Sequence, residues 1–243
     1  MIRLLLFLCS LTAVGCSTSQ GRLVWRAREL AFAPTPAIAL QRPDEKIVMT
    51  MNTQTVQKLL LAHIRIARTA NIQAELIFAE GEEPNAFAGF MDGRRVIGIN
   101  TAMVKLIGDD LDGFAALLGH ETAHWVKGHV DQGTIRANTI QGIGSLVGIG
   151  MGMAGVPAAG YITGLGADLI EASYSRDDER EADALSIDYM LANGFDPEAA
   201  VRLHEKMLNM PGGIQIPFLS SHPSGQERIE NLRKLIQTKR LQH

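Results

Sequence analysis

The chain has 243 residues, 46% of them hydrophobic, a formal net charge of −3 and two cysteines. A length of this order holds one domain with a real core. The slightly acidic balance, with no basic patch interleaved with aromatics, excludes nucleic acid as a partner, and two cysteines exclude a disulfide-framed scaffold.

Arg3 precedes a short apolar run over residues 4–14 that ends in Gly15-Cys16. Such a run is too short to span a bilayer and reads as a secretory signal, so residues 1–15 are expected to leave the mature chain. Ala13-Val14-Gly15-Cys16 resembles a bacterial lipobox, departing from it at Ala13 where Leu is usual. The resemblance implies that Cys16 is lipidated, and Ser17 in place of Asp implies sorting to the periplasmic face of the outer membrane. Several acyl chains on one residue anchor stably, each buried CH₂ contributing about 0.8 kcal/mol. The alternative is an ordinary signal peptide that happens to contain Cys16. Residues 16–46, punctuated by Pro34, Pro36 and Pro43, read as a lipid-anchored tether, and residues 47–243 as the folded domain.

Residues 52–70 form an amphipathic helix, with Val56, Leu59, Leu60, His63, Ile66 and Ala67 at helical spacing. His63 is a core or boundary residue on its apolar side. Residues 75–79 and 95–99 are β-rich runs around a turn at Asp92-Gly93 and suggest a hairpin.

The acids Asp109, Asp110 and Asp112 precede a run of helix formers, as at a helix N-terminus, and Gly128 ends that helix. It carries His120-Glu121-Thr122-Ala123-His124. Residues four apart on a helix lie about 40° apart around the axis and roughly 6 Å along it, so two imidazoles face one metal ion. Glu121 beside them can reach water activated by that metal, the position of a general base. A core helix with two satisfied histidines is the competing reading. His129, beyond Gly128, is a helix-end histidine or a support for a ligand.

A catalytic zinc with two His needs a third protein ligand. Ser175-Arg176-Asp177-Asp178-Glu179-Arg180-Glu181-Ala182-Asp183 also reads as a helix. Glu179 and Asp183 share a face, so Glu179 can ligate while Asp183 accepts a hydrogen bond from a ligating imidazole and holds its tautomer. Glu181 points about 200° around the helix and ranks second as ligand. A run this charged also suits a solvated face.

His-Glu-x-x-His followed by Ser-Arg-x-x-Glu-x-Glu-Ala-Asp resembles the zinc metallopeptidase family that includes HtpX and the CAAX prenyl proteases, particularly its periplasmic bacterial members. The similarity runs from about residue 49 to about residue 235. It includes Pro84-Asn85-Ala86-Phe87-Ala88 and His222-Pro223. The resemblance implies one Zn²⁺ per chain on His120, His124 and Glu179, with Glu121 as base. It implies an α+β, mostly helical, zincin-like metallopeptidase domain with a small β-sheet beside the active-site helix. In peptidases of this kind a sheet edge pairs with extended substrate; here that edge falls at Asn85, Ala86, Phe87 and Ala88, and a plain hairpin loop is the alternative. His222 is expected near the metal, stabilising the oxyanion or occupying the open position and holding the enzyme off. The expected substrates are misfolded or stalled envelope proteins. The alternative is an outer-membrane protein assembly factor or chaperone with latent peptidase activity, partnered with the assembly machinery.

Residues 137–167 carry no charge. A single crossing would put the two motif histidines and Glu179 on opposite sides of a bilayer, and two crossings need roughly 40 apolar residues, so a helical hairpin broken near Pro157 fits better. Residues 150–155 match Gly-x-Gly-x-x-Gly by letter but lack a βαβ setting. Asp196-Pro197 starts a helix that runs to about residue 210, residues 211–223 form a loop, and Ser224 with Glu227 is expected to form a capping box opening a last helix through Ile229, Leu232, Leu235 and Ile236.

Overall fold

The computed structural model describes residues 11–17, 23–132, 174–210 and 216–242. The uncharged segment 137–167, including residues 150–155, lies outside them. In chain order the elements are β1 (Leu11–Val14), β2 (Cys16–Ser17), β3 (Leu23–Arg26), α1 (Ala27–Ala31), β4 (Ala37–Gln41), β5 (Ile47–Asn52), α2 (Thr53–Thr69), β6 (Glu75–Ala79), β7 (Ala86–Met91), β8 (Arg94–Asn100), α3 (Thr101–Ile107), α4 (Leu111–Val126), α5 (Arg176–Ala192), α6 (Glu198–Leu208), α7 (Pro217–Ser221) and α8 (Gln226–Arg240). The domain is mostly helical with two small mixed sheets, ordered β1-β4-β5 and β2-β3-β6-β8-β7. None of its described helices is long and apolar enough to cross a membrane.

The helices start where the sequence supplies caps. Asn52 Oδ1 accepts from Gln54 N–H at 2.8 Å to open α2, which buries Val56, Leu59, Ala62, His63 and Ile66 along one stripe. Asn100 Oδ1 accepts from Met103 N–H at 2.8 Å and from Asn85 N–H at 3.0 Å, so one amide ends β8, opens α3 and pins the start of β7. His63 is buried with Nε2 at 2.8 Å from Ala74 O, away from the motif histidines.

Three expectations are corrected. The turn at Asp92-Gly93, both at positive φ, joins β7 to β8; β6 runs parallel to β8 instead of forming a hairpin with it. The strand expected as a sheet edge around Ala86-Phe87-Ala88 is the partner in that hairpin, which its small residues do not signal, since β propensity favours branched and aromatic side chains. Much of the expected tether is folded: Trp25, Leu30, Ile38 and Leu40 are buried in the main core. Pro34 and Pro36 mark a bend between α1 and β4, not a linker, and Thr53 N–H donates to Pro36 O at 3.0 Å. At the end of the segment read as a leader, β1 pairs in parallel with β4. Ser224 does not cap the last helix; Gly225 is its N-cap without a side-chain bond, and Ser224 Oγ lies 2.9 Å from His204 Nδ1.

The site hangs on α4, which is buried almost all round, as an apolar core helix must be. Toward the sheet, Trp125 Nε1 donates to Val96 O at 3.1 Å and Phe90 meets the Trp125 ring edge-on at 4.9 Å. Toward α5, Gly119 permits close approach: a Cβ there would sit 2.8 Å from Ser186 Oγ.

Candidate active site

On α4, Asp110 Oδ1 accepts from Gly113 N–H at 2.9 Å, and the helix then carries His120, Glu121 and His124, all buried. A capping box opens α5, with Asp178 N–H donating to Ser175 Oγ at 3.1 Å and Ser175 N–H to Asp178 Oδ2 at 2.9 Å. That start fixes its phase. Glu179, Asp183 and Ser186 turn inward; Glu181 faces outward to Lys127 Nζ at 2.9 Å. The charged run is therefore split, solvated on one side and buried on the other.

Four side chains converge: His120, His124, Glu179 and His222. His120 Nε2 and His124 Nε2 are 3.0 Å apart. Glu179 Oε2 is 3.3 Å from His120 Nε2, and Glu179 Oε1 is 3.2 Å from His124 Nε2. His222 Nδ1 lies 3.0 Å from Glu179 Oε1 and 3.2 Å from His120 Nε2. A tetrahedral ion with bonds of roughly 2.0–2.1 Å places neighbouring ligand atoms roughly 3.3 Å apart. The donor set and its edges therefore fit a metal ion of zinc's size, with His120, His124 and Glu179 as three corners and His222 at the fourth. Glu121 is fully buried beside them, Oε1 at 3.5 Å from His222 Nε2.

Asp183 Oδ1 faces His120 Nδ1 at 3.1 Å, as expected of a carboxylate that fixes the tautomer of a ligand. Sequence reasoning missed Arg228. From α8 its Nε and Nη2 bind both oxygens of Asp183 at 2.9 and 2.7 Å, and its Nη1 binds Glu179 Oε2. The signal was available: Arg228 stands four residues before Leu232 and seven before Leu235, in the apolar stripe where a lone cation needs a buried partner. Tyr174, also missed, stacks on His124 at 3.6 Å.

Charge at the centre is tightly coupled. Burial pushes His120 down, but Glu179 and Asp183 outweigh it and hold its imidazolium up to about 9. Burial drives His124 well below its ordinary value. Burial opposes ionisation of Glu179, but His222 and His120 hold it far below the usual carboxylate range. Asp183 is held low in the same way by Arg228 and His120 against its own burial. The ionised Glu179 and neutral His124 suit a divalent cation, whereas His120 must give up its imidazolium proton to bind one.

Ala86, Phe87 and Ala88 open β7, the last strand of the larger sheet among the described residues, with β8 on one side, and Asn85 stands just before it, bonded to Asn100.

A central helix bearing two imidazoles and a glutamate, answered by a carboxylate from a second helix, defines a metallopeptidase-type centre. The family model for Peptidase family M48 matches residues 51–236, and the chain belongs to that family. It is 30% identical over 182 residues to mitochondrial metalloendopeptidase OMA1 of Schizosaccharomyces pombe, covering 74% of this chain and 52% of the relative. Metalloprotease YcaL of Escherichia coli is 28% identical over 224 residues, covering 90% and 86%. The β-barrel assembly-enhancing protease of the same organism is 27% identical over 191 residues, covering 74% and 38%. The chain thus spans about half the length of the OMA1 relative.

Proposed function

We propose that the protein is a zinc-dependent endopeptidase whose substrates are misfolded or stalled envelope proteins. The observation that carries this reading is the set of four buried side chains whose ligand atoms all lie within 4.8 Å of one another, with the Glu121 carboxylate buried beside them. Zinc held by His120, His124 and Glu179 would supply a Lewis acid for the scissile carbonyl and for the attacking water. Glu121 takes the water's proton and passes it to the leaving amine. Asp183 and Arg228 hold His120 and Glu179 in place, and the outer edge of β7 beyond Asn85, whose N–H and carbonyl are both held by Asn100, offers main-chain groups to an extended substrate. The envelope setting is supported by the leader-like run before Cys16 and by the name of the β-barrel assembly-enhancing relative. In that setting Cys16 anchors the chain at the periplasmic face of the outer membrane. Loss of residues 1–15 removes β1 and leaves β4 paired with β5.

A second reading, an assembly factor or chaperone with latent proteolysis, is favoured by His222, whose Nδ1 stands at the fourth corner that a catalytic site keeps open. The deciding experiment is casein cleavage by the zinc-loaded protein beside Glu121→Gln of equal zinc content. Cutting by the wild type alone supports the peptidase. Inactivity of both, relieved in His222→Ala, supports latency.

A further inference from the structure

On the side of His124 away from the ligand cluster lies another line of contacts. Its Nε2 faces His120 and Glu179, whereas its Nδ1 is 3.0 Å from Nδ1 of His129. His129 Nε2 in turn lies 3.6 Å from Asp178 Oδ1, while the other oxygen of that carboxylate holds the Ser175 N–H of the capping box. Both histidines are buried.

Five residues along a continuous helix would turn His129 about 140° away from His124. The helix instead ends at Lys127, and Gly128 adopts φ +71°, a left-handed conformation open to glycine at little cost. A Cβ at Gly128 would meet nothing within 4 Å, so backbone conformation and not crowding calls for glycine. Residues 129–132 then begin a new helical turn that brings His129 back beneath His124.

Two neutral ring nitrogens at 3.0 Å hold one proton between them. For His124 to offer its Nε2 lone pair to a cation, its proton must sit on Nδ1. His129 Nδ1 is then the acceptor, and the proton of His129 sits on Nε2, facing Asp178. We infer that His129, backed by Asp178, is a positioning residue that fixes the tautomer and ring orientation of His124 as a metal ligand. His120 faces its carboxylate directly in Asp183; His124 meets the imidazole of His129, with Asp178 3.6 Å beyond it. Tyr174, stacked at 17° on the His124 ring, restrains the same plane. The carboxylate that starts α5 thus also stands behind a histidine of α4.

This inference rests on His120, His124 and Glu179 being the ligands, and its test separates the two ideas. In the zinc-loaded full-length protein, long-range ¹H–¹⁵N correlation of the imidazoles should show His124 protonated at Nδ1 and His129 at Nε2; His129 protonated at Nδ1 overturns the relay without any variant. By competition with a chromophoric chelator, His129→Leu should bind zinc about 10- to 100-fold more weakly, the usual consequence of losing a ligand's supporting partner. His129→Asn, whose carbonyl can accept from His124 Nδ1, should recover most of that affinity. Wild-type affinity in His129→Leu, or equal loss in both variants, refutes positioning through the hydrogen bond. Retention of zinc by Glu179→Gln would instead refute the ligand set.

Discussion

Replacing Arg228 with Met removes a guanidinium that serves two buried carboxylates and leaves its aliphatic volume largely filled. Arg228 is buried and bonded to both oxygens of Asp183 and to Glu179 Oε2. Breaking a buried ion pair from one side costs about 3–5 kcal/mol, because the surviving charge loses its partner. Two carboxylates are affected here, but His120, held as an imidazolium in the metal-free protein, still faces both. The loss should therefore fall at about 3–5 kcal/mol and not at double that figure. Against a whole-domain stability of about 5–15 kcal/mol, that is a large fraction. Urea denaturation of the metal-free wild type and Arg228→Met reads it directly. With zinc present the difference should shrink, since the ion supplies positive charge to Glu179. A metal-free difference under about 1 kcal/mol would mean that Arg228 is not the counter-charge of this centre.

Two further outcomes follow from the same geometry. Glu179→Gln should lose zinc while Glu181→Gln keeps it, measured as metal content after dialysis, because Glu181 faces Lys127 at the surface; the reverse would reassign the ligand. Burial and the neighbouring Arg228 push His204 down to about 3, whereas an unfolded His titrates near 6.5. Its neutral form therefore supports folding fully above pH 6.5, and that support is lost as pH falls from 6.5 toward 3. Between pH 7 and pH 5 the linkage amounts to about 2 kcal/mol, which His204→Gln should abolish in urea melts at the two pH values; an unchanged pH dependence would refute it.

The chemistry of the site was legible where it depends on spacing within one helix. His120, Glu121 and His124 share a turn, and Glu179 and Asp183 share a face, so periodicity alone proposed which side chains meet. What periodicity cannot supply is the partner across the fold. The apolar stripe of α8 marks Arg228 as buried, but only packing of α8 against α5 shows that its guanidinium meets Asp183. The misread tether shows a related limit. Proline spacing around Pro34 and Pro36 indicates a break in regular structure but not whether the flanking Trp25 and Ile38 are buried. β7 was legible only through the family resemblance: Ala and Gly carry little strand preference, and its pairing with β8 is set by the turn at Asp92-Gly93.

The contact of Gly119 with Ser186 sets the width of the ligand cage. The missing methyl lets α4 and α5 stand close enough that ligand atoms from the two helices lie 3.2–3.3 Å apart. Zinc takes four such nitrogen and oxygen ligands, whereas hard ions such as calcium take six to eight oxygens. A side chain at Gly119 would enlarge the cage without altering any residue that could touch a metal. How tightly the cage closes is thus set by the distance between two backbones, at a residue with no chemistry of its own.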